Sequence, residues 1–342
     1  MLLLLILALL FPCSQVRAAS VPEHPGTTLD EKIIRWLSDI DRSSEKGDFS
    51  VVQDLRGKLA DYAAANNHYD IASRQYELIL AARPRQADRI RIFTRLGKMY
   101  MATKDYGRAI SAFNDALHDG PKDWDARLSL ARAFAAADLD YRAIESYQRC
   151  IQLRPQEAVS YEEIAEVYEK LGFLGKALHY YEEALSREPK PEIYLHMADC
   201  YVHEKNIVQA TSILTQAKAR LPRAEYDVRL GEIYQSLGDV KRTSAAWEEA
   251  LKADPKRDDV RLRLTLIYDQ LNRAADADRL FHDLLASYPQ SPVVHYFRAL
   301  LLLERGNRVD ARSEALRVQQ LSPTELVAHF NDLLLAELRK PS

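Results

Sequence analysis

His196, Asp199 and His203 stand at i, i+3 and i+7 of one helical stretch, with Cys200 beside them. That spacing turns three metal-binding groups toward one side of a helix. Such a set holds a metal weakly, because a cluster of three ligands on one helix has no visible fourth. The plainer expectation is two partly exposed histidines on a helix wall and no metal. Carboxylates abound along the chain, but nothing suggests a pair held in an apolar pocket that would raise one pKa for acid–base work. There is no GxSxG, no HExxH, no phosphate-binding glycine loop and no paired-cysteine metal spacing. No catalytic residue and no cofactor is expected, and the chain reads as a non-enzyme.

Composition limits the elements that could position any such groups. The chain has 342 residues, with 47 Lys and Arg against 50 Asp and Glu, a net charge of −3. Apolar residues make up 47% and charged ones 28%, which excludes a disordered chain. The slight negative charge argues against a nucleic-acid binder. With 11 glycines, the chain is poor in the residue that phosphate loops and turn-rich β folds need. Three cysteines are too few for a disulfide scaffold.

Leu2 to Leu10 read LLLLILALL, too short for a span of roughly 20 apolar residues but fitting the apolar core of a secretory signal. Val16 and Ala18 supply small residues around a cleavage site. Residues 1–19 therefore read as a signal peptide, although the positive stretch that usually precedes the apolar core is missing. Pro12 before Cys13 argues against lipid modification, which needs a small residue there. Export to a periplasmic or outer-membrane setting in a bacterium is expected, with no transmembrane span.

Eight prolines, Pro84, Pro121, Pro155, Pro189, Pro222, Pro255, Pro289 and Pro323, fall 37, 34, 34, 33, 33, 34 and 34 residues apart. One unit reads Phe93-x2-Leu96-Gly97-x2-Tyr100, then Ala109-x3-Phe113, then Pro121. With proline counted as position 32, positions 8 and 20 are nearly always Ala, Gly or Thr, and position 24 is mostly Tyr, Phe or Trp. Small residues let two helices approach closely, and large ones fill the space left. Position 15 is Asn67, Lys104, Asp138, Gly172, Lys205, Gly238, Asn272 and Gly306. Six of those eight tolerate the left-handed conformation that ends a helix. Pro191 and Pro292 suit the first turn of a helix.

The pattern resembles the tetratricopeptide repeat family over residues 53–323. The resemblance implies an all-α fold, a right-handed α-solenoid of stacked antiparallel helix pairs forming a superhelix. Around the eight repeats lie a lead-in at 20–28, expected to be disordered, an N-terminal helix and linker at 29–52, and a C-terminal capping helix at 324–342. Cys150 and Cys200 lie a whole repeat apart, too far for a disulfide, and read as small buried hydrophobes. Trp36, Trp124 and Trp247 occupy packing positions.

In the resembled family the concave groove is lined by positions 2, 5, 9, 12 and 13 of each repeat. Here those positions hold Arg91, Lys98 and Arg132 early. Next come Glu162, Glu166, Glu169, Glu192, Asp199, Glu225, Glu232, Asp259 and Asp269 against one Lys170. Leu262, Leu266, Val293, Tyr296, Leu300 and Leu303 follow. Glu166, Asp199 and Glu232 form a ladder of carboxylates one repeat apart. The acidic zone reads either as a groove for a basic peptide or helix or as a solvated charged face. The apolar zone reads either as a surface covered by the final helix or a curled terminus, or as a docking or self-association patch. The family's clamp for a partner's C-terminal carboxylate is absent: Thr94 and Lys98, Leu128 and Arg132, and Glu162 and Glu166 occupy its positions, with no Asn among them.

The leading expectation is an exported scaffold that binds partner proteins in its groove within an envelope assembly. A chaperone-like carrier of basic peptides or precursors and a cytoplasmic adaptor with an uncleaved apolar start are the alternatives.

Overall fold

The computed structural model describes residues 26–339; the expected signal peptide and residues 20–25 of the lead-in lie outside them. Every regular element among the described residues is an α-helix. In chain order these are α1 (Gly26–Glu45), α2 (Phe49–Ala65), α3 (Tyr69–Ala81), α4 (Gln86–Ala102), α5 (Tyr106–Asp119) and α6 (Trp124–Ala136). They continue as α7 (Asp140–Leu153), α8 (Ala158–Lys170), α9 (Leu174–Arg187), α10 (Pro191–His203), α11 (Ile207–Ala217) and α12 (Arg223–Ser236). The last are α13 (Val240–Ala253), α14 (Asp258–Gln270), α15 (Ala274–Ser287), α16 (Pro292–Glu304), α17 (Arg308–Gln320) and α18 (Glu325–Arg339). The chain forms two compact units that divide between Ile193 and Tyr194, inside α10. Each is a solenoid of antiparallel helix pairs.

The eight position-15 residues all adopt positive φ, between 57° and 80°. The residue after each donates its N–H five residues back, as in His68 to Ala63 at 2.9 Å, Asp105 to Tyr100 at 2.8 Å and Asn307 to Leu302 at 2.8 Å. That bond stops the first helix of every pair and reverses the chain. The second helix often starts on a side-chain cap: Asp105, Asn206, Asp239 and Asn307 accept from N–H groups three residues on.

In the first unit the small-to-large alternation is literal. A Cβ on Gly97 would stand 2.5–2.7 Å from ring carbons of Phe113, which is fully buried. The N-terminal segment departs from the expected helix and linker. α1 begins at Gly26, inside the stretch expected to be disordered, and α2 begins at Phe49, inside the expected linker. Gly47, at φ 77°, closes α1 onto α2 with the same left-handed turn used by the repeats. The cause is apolar: Ile33 and Ile40 of α1 pack with Val52 and Leu59 of α2, and the Trp36 ring meets Tyr62 edge-on at 4.9 Å.

In the second unit Gly231 lies against the fully buried Trp247, whose indole N–H donates to the Val228 carbonyl at 3.2 Å. Leu262, Leu266, Tyr296 and Leu300 are 8% exposed or less. They share one core with Val327, Leu334, Leu335 and Leu338 of α18, with Leu303, Val293 and Phe330 packed alongside. The apolar zone is therefore not an open partner surface. Position 24 of the last repeat is Ala315, too small to fill the interior, and α18 supplies the missing volume. Asn331 of α18 is fully buried and donates to the Ala315 carbonyl at 2.9 Å.

Candidate protein-binding faces

The face built by the first helix of each pair carries the charged residues singled out in the sequence, and most of them are engaged. In the first unit Arg91 and Lys98 are exposed, and Arg91 lies 3.5 Å from Asp88. Arg132 Nε donates to both carboxylate oxygens of Glu163 at 2.8 and 2.9 Å. Lys190 Nζ reaches Glu162 at 3.0 Å, and the Tyr181 hydroxyl donates to Glu169 at 2.6 Å. Glu166 and Glu192 are exposed.

Arg132, Tyr147, Glu162, Glu163, Glu166 and Lys190 line a shallow depression of about 420 Å³. Tyr147 sits buried beneath these charges. Its phenol is pushed far above the usual value, first by burial and then by the carboxylate of Glu163, so it is a neutral hydrogen-bonding floor at physiological pH. The depression holds three carboxylates and two cations, a mildly negative and strongly polar surface.

The second unit is more tightly compensated. Arg229 bridges Glu225 at 3.2 Å and Glu232 at 3.1 Å on its own helix. Arg263, one repeat on, reaches the other oxygen of Glu232 at 2.6 Å. Arg257 takes both oxygens of Asp259 at 2.9 Å and reaches back to Glu225 at 3.0 Å. Arg305 binds Asp269 at 2.7 Å. Burial acts to raise the Asp259 carboxyl, but the hydrogen bonds and charge of Arg257, with Arg263 nearby, hold it below the usual carboxylate range. Asp199 and Glu232 line one small pocket with Arg229, Leu195, Ala198, Val202 and Ile233. Of the expected carboxylate ladder, Glu166 belongs to the first unit and the other two members to the second.

Sequence reasoning saw these carboxylates and missed their counter-ions. Arg229 and Arg263 occupy position 6 of successive repeats, and Lys190 and Arg257 follow the repeat-ending prolines. None falls at a position that the family resemblance marks as lining the groove. The signal that would have found Arg229 is its spacing to Glu225, four residues earlier, whereas Arg263 reaches Glu232 one repeat back, which no spacing on its own helix marks. Cys150 and Cys200 are buried and not joined in a disulfide, and burial pushes the Cys150 thiol up to about 12. No group of three His, Cys, Asp or Glu among the described residues is arranged to hold a metal ion, and no described helix is long and apolar enough to cross a membrane.

Helix pairs closed by one recurring left-handed turn define a helical-repeat scaffold for protein–protein interaction. The chain belongs to the tetratricopeptide repeat family: models of that repeat match residues 94–158, 158–191 and 234–301. It is similar to a human protein O-mannosyl-transferase, 21% identical over 269 residues, covering 77% of this chain and 27% of that protein. It is also similar to a BBSome complex member of Bos taurus, 21% identical over 257 residues, covering 64% of this chain and 49% of that protein. The chain thus spans between a quarter and a half of the length of these relatives. Among solved structures it resembles the C-terminal part of a repeat-containing protein from Cytophaga hutchinsonii, with a TM-score of 0.58 and 16% identity, covering 69% of this chain and 97% of that one.

Proposed function

We propose that the chain is a non-enzymatic scaffold that is exported and holds partner proteins on its first-helix faces within an envelope assembly. One observation carries the binding reading. The groups on these faces are locked by ion pairs before any partner arrives, with Arg132 on Glu163, Arg229 on Glu225 and Glu232, and Arg257 on Asp259. Such a surface loses little side-chain entropy on binding and suits a partner of defined shape. The same rigidity favours the scaffold over a carrier of many unfolded chains. Glu162, Glu166, Glu169 and Glu192 give the first unit its negative excess, which fits a basic segment on the partner.

The transferase named among the relatives matches over about a quarter of its length. The strongly raised groups Tyr147 and Cys150 owe their shifts first to burial in the packed interior, which supports a structural role for them. Export rests on the Leu2–Leu10 run and the Val16–Ala18 site.

Affinity capture with the full chain at low and high salt tests the binding reading. A scaffold retains a few defined folded partners. Replacing Glu162, Glu166 and Glu169 together with Gln should weaken a purified partner several-fold at low salt and flatten its salt dependence. Unchanged affinity would remove the acidic surface from the account. N-terminal sequencing of the protein from fractionated cells tests export, since a mature chain starting near Ala19 is expected and an intact Met1 in the cytosol contradicts it.

A further inference from the structure

Position 19 of the repeat carries a cation in three successive hairpins of the first unit: Arg108, Arg142 and Lys176. Each lies over the aromatic ring at position 11 of its own repeat, Arg108 over Tyr100 at 4.6 Å, Arg142 over Phe134 at 4.2 Å and Lys176 over Tyr168 at 5.2 Å. The ring faces attract the cations and hold them at the hairpin edge. The carboxylates of the same hairpins are already engaged. Asp105 pairs with Arg108 at 2.5 Å, and Asp138 and Asp140 pair with Lys170 at 2.5 and 3.0 Å. Lys104, Arg142 and Lys176, one on each hairpin, keep no carboxylate of their own among the described residues. Large apolar groups stand exposed on the same hairpins: Leu139 at 39%, Tyr141 at 74% and Phe173 at 45%.

We propose that this hairpin edge, distinct from the first-helix face, docks an acidic protein segment that also carries apolar side chains. A segment that carries Asp or Glu with Leu, Phe or Tyr nearby meets Arg142 and Lys176 and the exposed apolar groups of the same hairpins together. The anchored cations favour such binding because little of their freedom remains to be lost. A bilayer or a nucleic acid is a poorer match. Asp105 and Asp138 lie among the cations, so a surface of uniform negative charge meets repulsion as well as attraction, whereas a peptide places its carboxylates selectively. The edge carries the opposite charge preference to the first-helix face, so either reading can fail without the other.

The test selects a phage-displayed random peptide library on the full chain and measures the enriched peptides by fluorescence anisotropy. Vesicles of phosphatidylserine and phosphatidylcholine serve as the competing probe. The expected result is enrichment of acidic sequences with Leu, Phe or Tyr, whose affinity falls about tenfold or more in R142E/K176E and is retained in R142K/K176R. If R142E/K176E proves unfolded by circular dichroism, Tyr141→Ser at its exposed site should still weaken the peptides several-fold. Enrichment without acidic bias, or acidic peptides indifferent to R142E/K176E and Y141S, overturns the proposal. So does vesicle binding that depends on Arg142 and Lys176 while no acidic peptide is enriched, which assigns the edge to a lipid surface.

Discussion

Gly97 of α4 lies directly under the ring of Phe113 of α5: a Cβ at Gly97 would stand 2.5 Å from ring atom Cε1 and 2.7 Å from two others. The neighbour that would have to move is a rigid ring with no exposed surface. The contact sets how closely the two helices of the pair approach.

Gly97→Ala should therefore destabilise the protein, although alanine is the better helix former by about 1 kcal/mol. Overpacking costs about 1–3 kcal/mol, so a net loss near 1 kcal/mol is expected in urea unfolding. G97A/F113L, with the ring removed, should show Ala at 97 to be neutral or favourable relative to F113L alone.

Lys205 holds φ at 59° at the turn between α10 and α11, a conformation that costs a side chain roughly 1–2 kcal/mol. Lys205→Gly should raise stability by about 0.5–1 kcal/mol once the greater freedom of glycine in the unfolded chain is subtracted. Gly238→Lys, the converse change at φ 70°, should lower it. Thermal melts of both variants check the sign.

Asp259 has its carboxyl lowered in the folded protein. Its ion pair with Arg257 therefore contributes stability above the unfolded pKa near 3.8, and that contribution disappears as pH falls through the still lower folded value. Asp259→Asn should cost about 1–2 kcal/mol at pH 7, and the difference from wild type should shrink as pH drops below about 4. Denaturant titrations at several pH values read this directly.

Deleting residues 324–342 removes α18 and bares Leu262, Leu266, Tyr296 and Leu300. The trimmed chain should self-associate or precipitate, as read by light scattering. A trimmed protein that stays monomeric and soluble contradicts the capping role. Leu335→Ala, at 5% exposure, should cost about 2–5 kcal/mol by leaving a cavity.

The helices and turns were legible because they follow from local rules repeated in register: small against large, a left-handed stop at position 15, proline near the end. The covering of the apolar zone was visible as an alternative, since the final helix offers Leu326, Phe330, Leu333, Leu334 and Leu338, but sequence alone could not seat that helix: Leu326 and Leu333 stay exposed, and Leu335 is buried instead. The hairpin of α1 and α2 was hidden because it repeats the turn at Gly47 without the small-to-large signature. The candidate site was legible only by sign. Glu225, Glu232 and Asp259 were marked as acidic; Arg229 neutralises the first two from their own helix, but Arg257 on Glu225 and Arg263 on Glu232 reach back one repeat. Distances of that kind are set by stacking and not by spacing on one helix.

Site-specific photocrosslinking in cells tests the scaffold reading most directly, with the crosslinker placed at Glu166 on the first-helix face and, for comparison, at Glu182 on the exposed side of α9. A discrete crosslinked protein partner from Glu166 and none from Glu182 is expected. Crosslinks of equal yield from both positions, or a discrete partner from Glu182 alone, would contradict that reading.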